Sequence, residues 1–266
     1  MNKKLWLILI VIVAAIVGAI FISNINFHTK RSDAQSASGE WRWENFSDEE
    51  IDKWSHIYPP SYFFLLNMWG KTEHKTLLDV GAGLGSQSIG FAEKGLDVSS
   101  VDINPFSMDR LAKIAAEKNL PIKTKAGDAR NLPYSDKSFD FVYANDVVNL
   151  SGCDAIPGII AELARVTKDG GQIFFTLNAE IGDDNPINKK ESESLHHDDC
   201  VPGKNKHEQI CSYKNEFKTV YCFVNQAMLE NLLKPYKVKS IYMEFDMHPS
   251  DLSGMSAHYH IVIGKK

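Results

Sequence analysis

Asp79, Gly81, Gly83 and Gly85 are the residues whose types and spacing most plainly suggest chemistry. Glycines at every second position let a backbone turn approach a ligand that any side chain would block. A glycine turn between a strand and a helix is how α/β folds present backbone amides to a nucleotide-like group. Asp102 lies 23 residues after Asp79. That is where a doubly wound fold places the acid that grips a ribose. A carboxylate accepts two hydrogen bonds and a ribose offers two hydroxyl donors, so residue type and place agree. Ile103 follows, placed to pack on an adjoining ring face. Asn145 and Asp146 end a later apolar run, and ligands in such sheets bind beyond the carboxyl ends of strands.

The elements that must hold these residues follow from hydrophobic pattern. Thr76 to Val80 reads as a short buried strand, and Ser86 to Lys94 as a helix with Ile89, Phe91 and Ala92 inward. Asp97 to Val101 is a second strand. Asn104-Pro105 then opens a helix, Asn as cap and Pro in the first turn, with Met108, Leu111, Ile114 and Ala115 on its apolar face. Ile122 to Ala126 is a third strand, and a fourth ends near Ala144. The next helix, residues 154–168, buries Ile156, Ile159, Ile160, Leu163 and Val166. Gly170-Gly171 breaks it before a fifth strand over residues 172–177. Residues 237–245 and 258–263 read as two last strands, preceded by a helix over residues 224–233.

The turn Asp79-x-Gly81-x-Gly83-x-Gly85 resembles motif I of the class I S-adenosylmethionine-dependent methyltransferases, of the methyltransferase type 11 kind. A nicotinamide-dependent oxidoreductase would want G-x-G-x-x-G, and position 86 is Ser. The run Leu132-Pro133-Tyr134-Ser135-Asp136-Lys137-Ser138-Phe139-Asp140-Phe141-Val142 resembles the same family's approach to strand four. Residues 163–171 resemble its turn into strand five. The resemblance covers residues 61–266. It implies a Rossmann-like doubly wound α/β sheet of seven strands with the last antiparallel. It also implies S-adenosylmethionine as cofactor: Asp79, Gly81, Gly83 and Gly85 around the methionine part, Asp102 and Ile103 at the ribose and adenine, Asp128 and Ala129 at the adenine. Asn145 would meet the methionine part or the adenosine, with Asp146 on the substrate side. Many relatives carry a His two or three residues after this point, where Val148 and Asn149 stand here. The candidates for a general base are Asp146, Tyr62, His196 and His197.

The flanks set the context. Residues 1–23 read as a membrane anchor. Residues 5–22 are uncharged, and as a helix would span about 27 Å, enough for a bilayer core. Residues 24–46 read as a flexible tether and residues 47–266 as the methyltransferase domain. Within it, Ser47 to Glu50 has the pattern of a capping box, and a second helix follows over residues 61–69. The net charge of −5 makes nucleic acid a poor partner, because phosphate binding wants a basic face. The expected acceptor is a small molecule or a lipid-like one. The cofactor is made in the cytosol, so the domain is expected to face the cytoplasm.

Residues 178–218 are long, polar and without clear period, and read as a lid insertion. His196, His197, Cys200, His207 and Cys211 cluster there. His197-x2-Cys200 and His207-x3-Cys211 have zinc-like local spacing, but the two pairs stand too close together for a zinc finger, and no metal is assigned. A Cys200–Cys211 disulfide would need an oxidising compartment, and four cysteines are few for a disulfide scaffold in 266 residues. Two other readings stand beside the enzyme: a membrane-tethered, non-catalytic cofactor-binding module, and an NAD-dependent oxidoreductase.

Overall fold

The computed structural model describes residues 60–70, 75–180, 199–213, 217–247 and 255–265. These residues belong to one compact unit. The anchor, the tether, the first cap helix, His196 and His197 lie outside the described residues. Among those that are described, no helix is long and apolar enough to cross a membrane.

Seven strands build the central sheet: β1 (Thr76–Val80), β2 (Asp97–Asp102), β3 (Lys123–Ala126), β4 (Phe139–Ala144), β5 (Thr167–Ala179), β9 (Lys237–Met247) and β10 (Met255–Gly264). The order runs β3-β2-β1-β4-β5, all parallel, then β10 and β9, with β10 antiparallel to both neighbours. Sequence order leaves β1 outward to β2 and β3, then returns past β1 to β4. The crevice at that switch, beyond the carboxyl ends, is where a ligand fits an open α/β sheet. The helices are α1 (Pro60–Trp69), α2 (Ser86–Glu93), α3 (Pro105–Glu117), α4 (Ile156–Val166) and α5 (Gln226–Leu233). Asn104 caps α3 by accepting from the Phe106 amide, with Pro105 in the first turn. Pro60 opens α1, where its missing N–H costs nothing.

Strand alternation sorts the core into two faces. Leu78, Val80, Val142, Ile173, Phe175, Leu177 and Ile261 pack with Ile156, Ile160 and Leu163 of α4 and with Leu229 and Leu233 of α5. Leu77, Tyr143, Phe174 and Val262 pack on the other face with Leu65 and Trp69 of α1 and Phe91 of α2.

The insertion departs from expectation. Its described part is a three-stranded antiparallel ribbon rather than a loop: β6 (Asp199–Pro202), β7 (Glu208–Tyr213) and β8 (Phe217–Val224). It joins the main sheet where Asn178 and Ala179, which run past the end of β4, pair in parallel with Phe223 and Val224. Those ladder bonds give the ribbon an anchor that a polar loop lacks. The buried Glu208 fixes its turn, accepting from the Lys204 amide at 3.1 Å and the Cys153 amide at 2.8 Å.

The cysteines also depart from expectation. Cys153, just before α4, is bonded to Cys222 of β8 across 69 residues. Cys211 is disulfide-bonded as well, and the β6–β7 register sets Cys200 directly opposite it. A bonded Cys211 is no metal ligand. Closing a loop of 69 residues removes chain entropy from the unfolded state, worth up to about 4 kcal/mol. Replacing Cys153 and Cys222 together by Ser should lower the unfolding free energy by about 2–4 kcal/mol. Denaturant melts of the variant, with and without reductant, check this: reductant should bring the parent chain down to or below the variant.

Candidate functional site

Asp79 lies near the carboxyl end of β1, wholly buried. Its carboxyl accepts from the Ser88 hydroxyl at 2.5 Å, and Ser88 lies 2.7 Å from the Ser100 hydroxyl. Three side chains thus tie the starts of the ligand-facing turns together beneath the surface. Burial raises the Asp79 pKa to about 7; the Ser88 hydrogen bond opposes this and the nearby Asp102 charge adds to it. The side chain anchors α2 under the turn rather than lining it.

The glycines above it are held by sterics. Gly81 has φ +70, and a Cβ there would come within 2.0 Å of Val147. Gly85 has φ +83, and its Cβ would meet Leu111 at 2.2 Å. Both positions need the left-handed region and the missing side chain.

Asp102 ends β2 and holds the turn from the other side. One oxygen accepts from the Gly83 amide at 2.8 Å and the other from the Asn104 amide at 2.9 Å. A carboxylate is an acceptor only, which suits it to hydroxyl donors at this strand end. Beside it Ile103 is 46% exposed, a large apolar side chain left open at a strand end. Asp128 stands partly exposed after β3, with Arg130 donating to both of its oxygens. Those hydrogen bonds hold the Asp128 pKa low. Ala129 is half-buried against the α4-side core.

Beyond β4, Asn145 donates to Asp146 at 2.8 Å, and Asp146 takes a left-handed φ of +52. Its amide donates to the Thr176 hydroxyl of β5 at 2.8 Å, so β5 fixes this loop. Asp146 is exposed, whereas Tyr62 is only 3% exposed and packs edge-on against Phe91. The structure therefore brings Asp79, Gly81, Gly83, Gly85, Asp102, Ile103, Asn145 and Asp146 to the carboxyl ends of three adjacent strands.

Asp140 sits at the opposite, amino-terminal end of β4. Burial would raise its pKa, but hydrogen bonds from Lys168, Thr76 and Lys75 hold it far below the usual range. It fastens strands together away from the ligand. Arg165 does similar work for the 132–136 run, donating to the carbonyls of Leu132 and Tyr134 and to the Asp136 and Glu162 carboxylates.

Sequence reasoning missed a polar row on the α1 face of the sheet. Register lines up Asp79, Tyr143 and Phe174 across β1, β4 and β5, and one step further on Thr176, His260 and Tyr242 across β5, β10 and β9. Burial, with Asp79 and Asp146 close by, holds the Tyr143 hydroxyl well above its ordinary pKa. The alternating His258-Tyr259-His260 was the available signal for a polar face, but only register shows what those histidines meet. A second cleft, of about 460 Å³, opens between α4 and α5 on the other face, lined by Cys153, Ile156, Met228, Leu232 and Tyr236 among others.

Comparison with known proteins agrees with this geometry. Residues 78–175 match the family described as "Methyltransferase domain". A malonyl-[acyl-carrier protein] O-methyltransferase from Serratia marcescens is 32% identical over 124 residues, 45% of this chain and 46% of that protein. A demethylmenaquinone methyltransferase from Renibacterium salmoninarum is 38% identical over 104 residues, 39% of this chain and 41% of that protein. The chain thus spans less than half the length of these curated relatives. Among solved structures, a SAM-dependent methyltransferase from Methanosarcina mazei superposes with a TM-score of 0.59 at 21% identity, covering 79% of this chain and 98% of that one. The PH0226 protein of Pyrococcus horikoshii gives 0.59 at 18%, covering 83% and 92%. These two likenesses show the fold.

The Asp79 shift has a definite sign. Its folded pKa of about 7 lies above the unfolded value, so the folded state holds a proton that the unfolded state has lost between about pH 4 and 7. Stability through this group is full below pH 4, falls by up to about 4 kcal/mol as pH rises to about 7, and is flat above. Asp79→Asn should flatten that part of the stability–pH curve, which urea melts from pH 4 to 8 measure directly.

Proposed function

We propose that this chain, which carries a class I S-adenosylmethionine-dependent methyltransferase domain over its matched residues 78–175, transfers a methyl group to a small-molecule or lipid-like acceptor. The observation that carries the reading is the turn Gly81–Gly85, pinned from below by Asp79 and from the side by Asp102. The residues fit the cofactor. The glycine turn follows a path that a Cβ at Gly81 or Gly85 would block against Val147 or Leu111, Asp102 places an acceptor beside that turn, and Ile103 offers an open apolar face. The named acceptors of the relatives, malonyl-[acyl-carrier protein] and demethylmenaquinone, suggest an acyl or quinone-like acceptor without choosing one.

When bound, a sulfonium cofactor supplies an already activated methyl group. What is left for the protein is position, exclusion of water and, for a protonated acceptor, removal of a proton. The glycine turn, Asp102 and Ile103 hold and orient one side of the crevice. Asn145 and Asp146, fixed through Thr176, form the side the acceptor would approach. Membrane attachment through residues 5–22 is part of this proposal and would bring lipid-like acceptors within reach.

The side of the membrane is a separate proposal. Cofactor supply favours the cytoplasmic side, while the bonded cysteines favour an oxidising compartment. Rapid alkylation of intact cells separates the two: thiols trapped on Cys153 and Cys222 support the cytoplasm, and bonded cysteines the far side.

Calorimetric titration of the full chain with S-adenosylmethionine should give saturable binding, and NAD none. Asp102→Ala removes charge-assisted hydrogen bonds and should weaken binding by about 10- to 150-fold. No binding of the sulfonium cofactor, or an unaffected variant, would remove the reading. Cofactor binding with no labelled methyl transferred to any component of a cell extract would favour the non-catalytic module.

A further inference from the structure

We propose that His260, oriented by Glu244, is the general base that takes the proton of a hydroxyl-bearing acceptor. The inference rests on the methyltransferase reading above and adds to it the acceptor's chemical class.

Among the described residues, the buried polar atoms without a hydrogen-bond partner include three on or beside the α1 face of the sheet: Nδ1 of His260, the hydroxyl of Tyr143 and Oδ1 of Asn149. Their side chains are 4%, 1% and 2% exposed. Buried polar groups are nearly always paired, and leaving one unpaired is costly. Three in one region, from three different elements, are an unusual expense unless a ligand completes them. Tyr143 stands beside Asp79 in the β1–β4 ladder and lies close enough to Asp146 to feel its charge. His260 is opposite Thr176, the residue whose hydroxyl holds the Asp146 amide. Asn149 donates to Asn178 at 2.8 Å, two residues along β5 from Thr176. The three orphaned atoms thus belong to the strip that leads from the glycine turn to the sheet's far edge.

His260 has the remaining features of a base. Its Nε2 lies 2.9 Å from Glu244 Oε2 on β9. With the carboxylate accepting from Nε2–H, the lone pair is on Nδ1, the atom left without a partner. The ring is held in place by stacking on Tyr242, 4.8 Å between centroids, and by Phe174 at 5.9 Å. The groups packed around it are Glu244 and Tyr242 from β9 and Thr176 and Phe174 from β5. Burial pushes the Tyr242 hydroxyl up to about 12, so it stays a neutral neighbour at physiological pH.

The step balances. The acceptor O–H bond breaks and its proton passes to Nδ1, leaving an imidazolium paired with the Glu244 carboxylate. The oxygen's electron pair forms the new O–CH3 bond as the S–CH3 bond of the sulfonium breaks, and the neutral thioether leaves. The imidazolium returns its proton to solvent. The Tyr143 hydroxyl and Asn149 Oδ1 supply a donor and an acceptor that orient the hydroxyl-bearing group.

Two phenols of different acidity test this on the full chain. Hydroquinone brings a proton to remove; 4-nitrophenol, a far stronger acid, is largely ionised about one pH unit above neutrality, where the assays are run. With ¹⁵N-histidine-labelled protein and no cofactor present, hydroquinone should move the His260 Nδ1 resonance, a readout that needs no turnover. With cofactor, His260→Gln should lower kcat for hydroquinone by about 10²–10⁴-fold while the loss on 4-nitrophenol stays within about tenfold. Cofactor affinity should not change, which shows that the variant is folded. Glu244→Gln, which keeps an acceptor for Nε2, should give a smaller loss with the same split between the phenols. Equal losses on both phenols, an unmoved Nδ1 resonance, or transfer by the parent chain to carboxylate probes such as a malonyl thioester but to neither phenol would overturn the assignment. Failure of the parent chain to bind cofactor would instead overturn the methyltransferase reading.

Discussion

A carboxyl group with no access to water, placed under the glycine turn, constrains everything above it. Asp79 is wholly buried, so it must be neutral or be hydrogen-bonded on every side. Ser88 from α2 meets it, and Ser88 in turn meets Ser100 of β2. The start of the helix and the second strand are thereby locked to the first strand at one point. Gly81, Gly83 and Gly85 have only one path left between these fixed ends, and that path requires positive φ at all three. Asp102 then clips the middle of the turn through the Gly83 amide. Two acids hold the cradle, one buried beneath the turn and one at its rim.

The parallel half of the fold was legible because its signals are local. Thr76 to Val80 is a buried run ending in glycine, and Asn104-Pro105 caps a helix where the spacing says it should. Residues 132–142 were recognisable as a string, and the structure supplies its physical reason: Arg165 and Glu162 of α4 hold its carbonyls and amides from a neighbouring element. Thr167 and Lys168, expected as the end of a helix, belong to β5, since the helix has already ended at Val166 and the Thr167 hydroxyl bonds back to Leu163.

What escaped the sequence reading was non-local. The ribbon β6–β8 hides in a polar stretch because its inward residues include Glu208 and Thr219, which are buried yet polar. Cys153 and Cys222 carry no spacing signal, being 69 residues apart, and only the attachment of β8 to β5 brings them together. His260 looks like any strand histidine until the register of two ladders sets it between Thr176 and Tyr242. The bases expected from sequence, Asp146, Tyr62, His196 and His197, belong to a loop, the helix α1 and the insertion. The structure directs attention to the antiparallel end of the sheet, where rigidity favours chemistry.

The bond between Cys153 and Cys222 also changes what a broken backbone would mean. It closes a covalent ring that contains α4, β5, β6 and β7 and most of β8. A peptide bond cut anywhere inside that ring leaves a single molecule. Its two new ends are still tethered through sulfur on one flank and through the β5–β8 and β5–β10 ladders on the other. A chain nicked in this way keeps the fifth strand in the middle of its sheet, so the ring protects the central strand order even where the linear connection that created it has been lost.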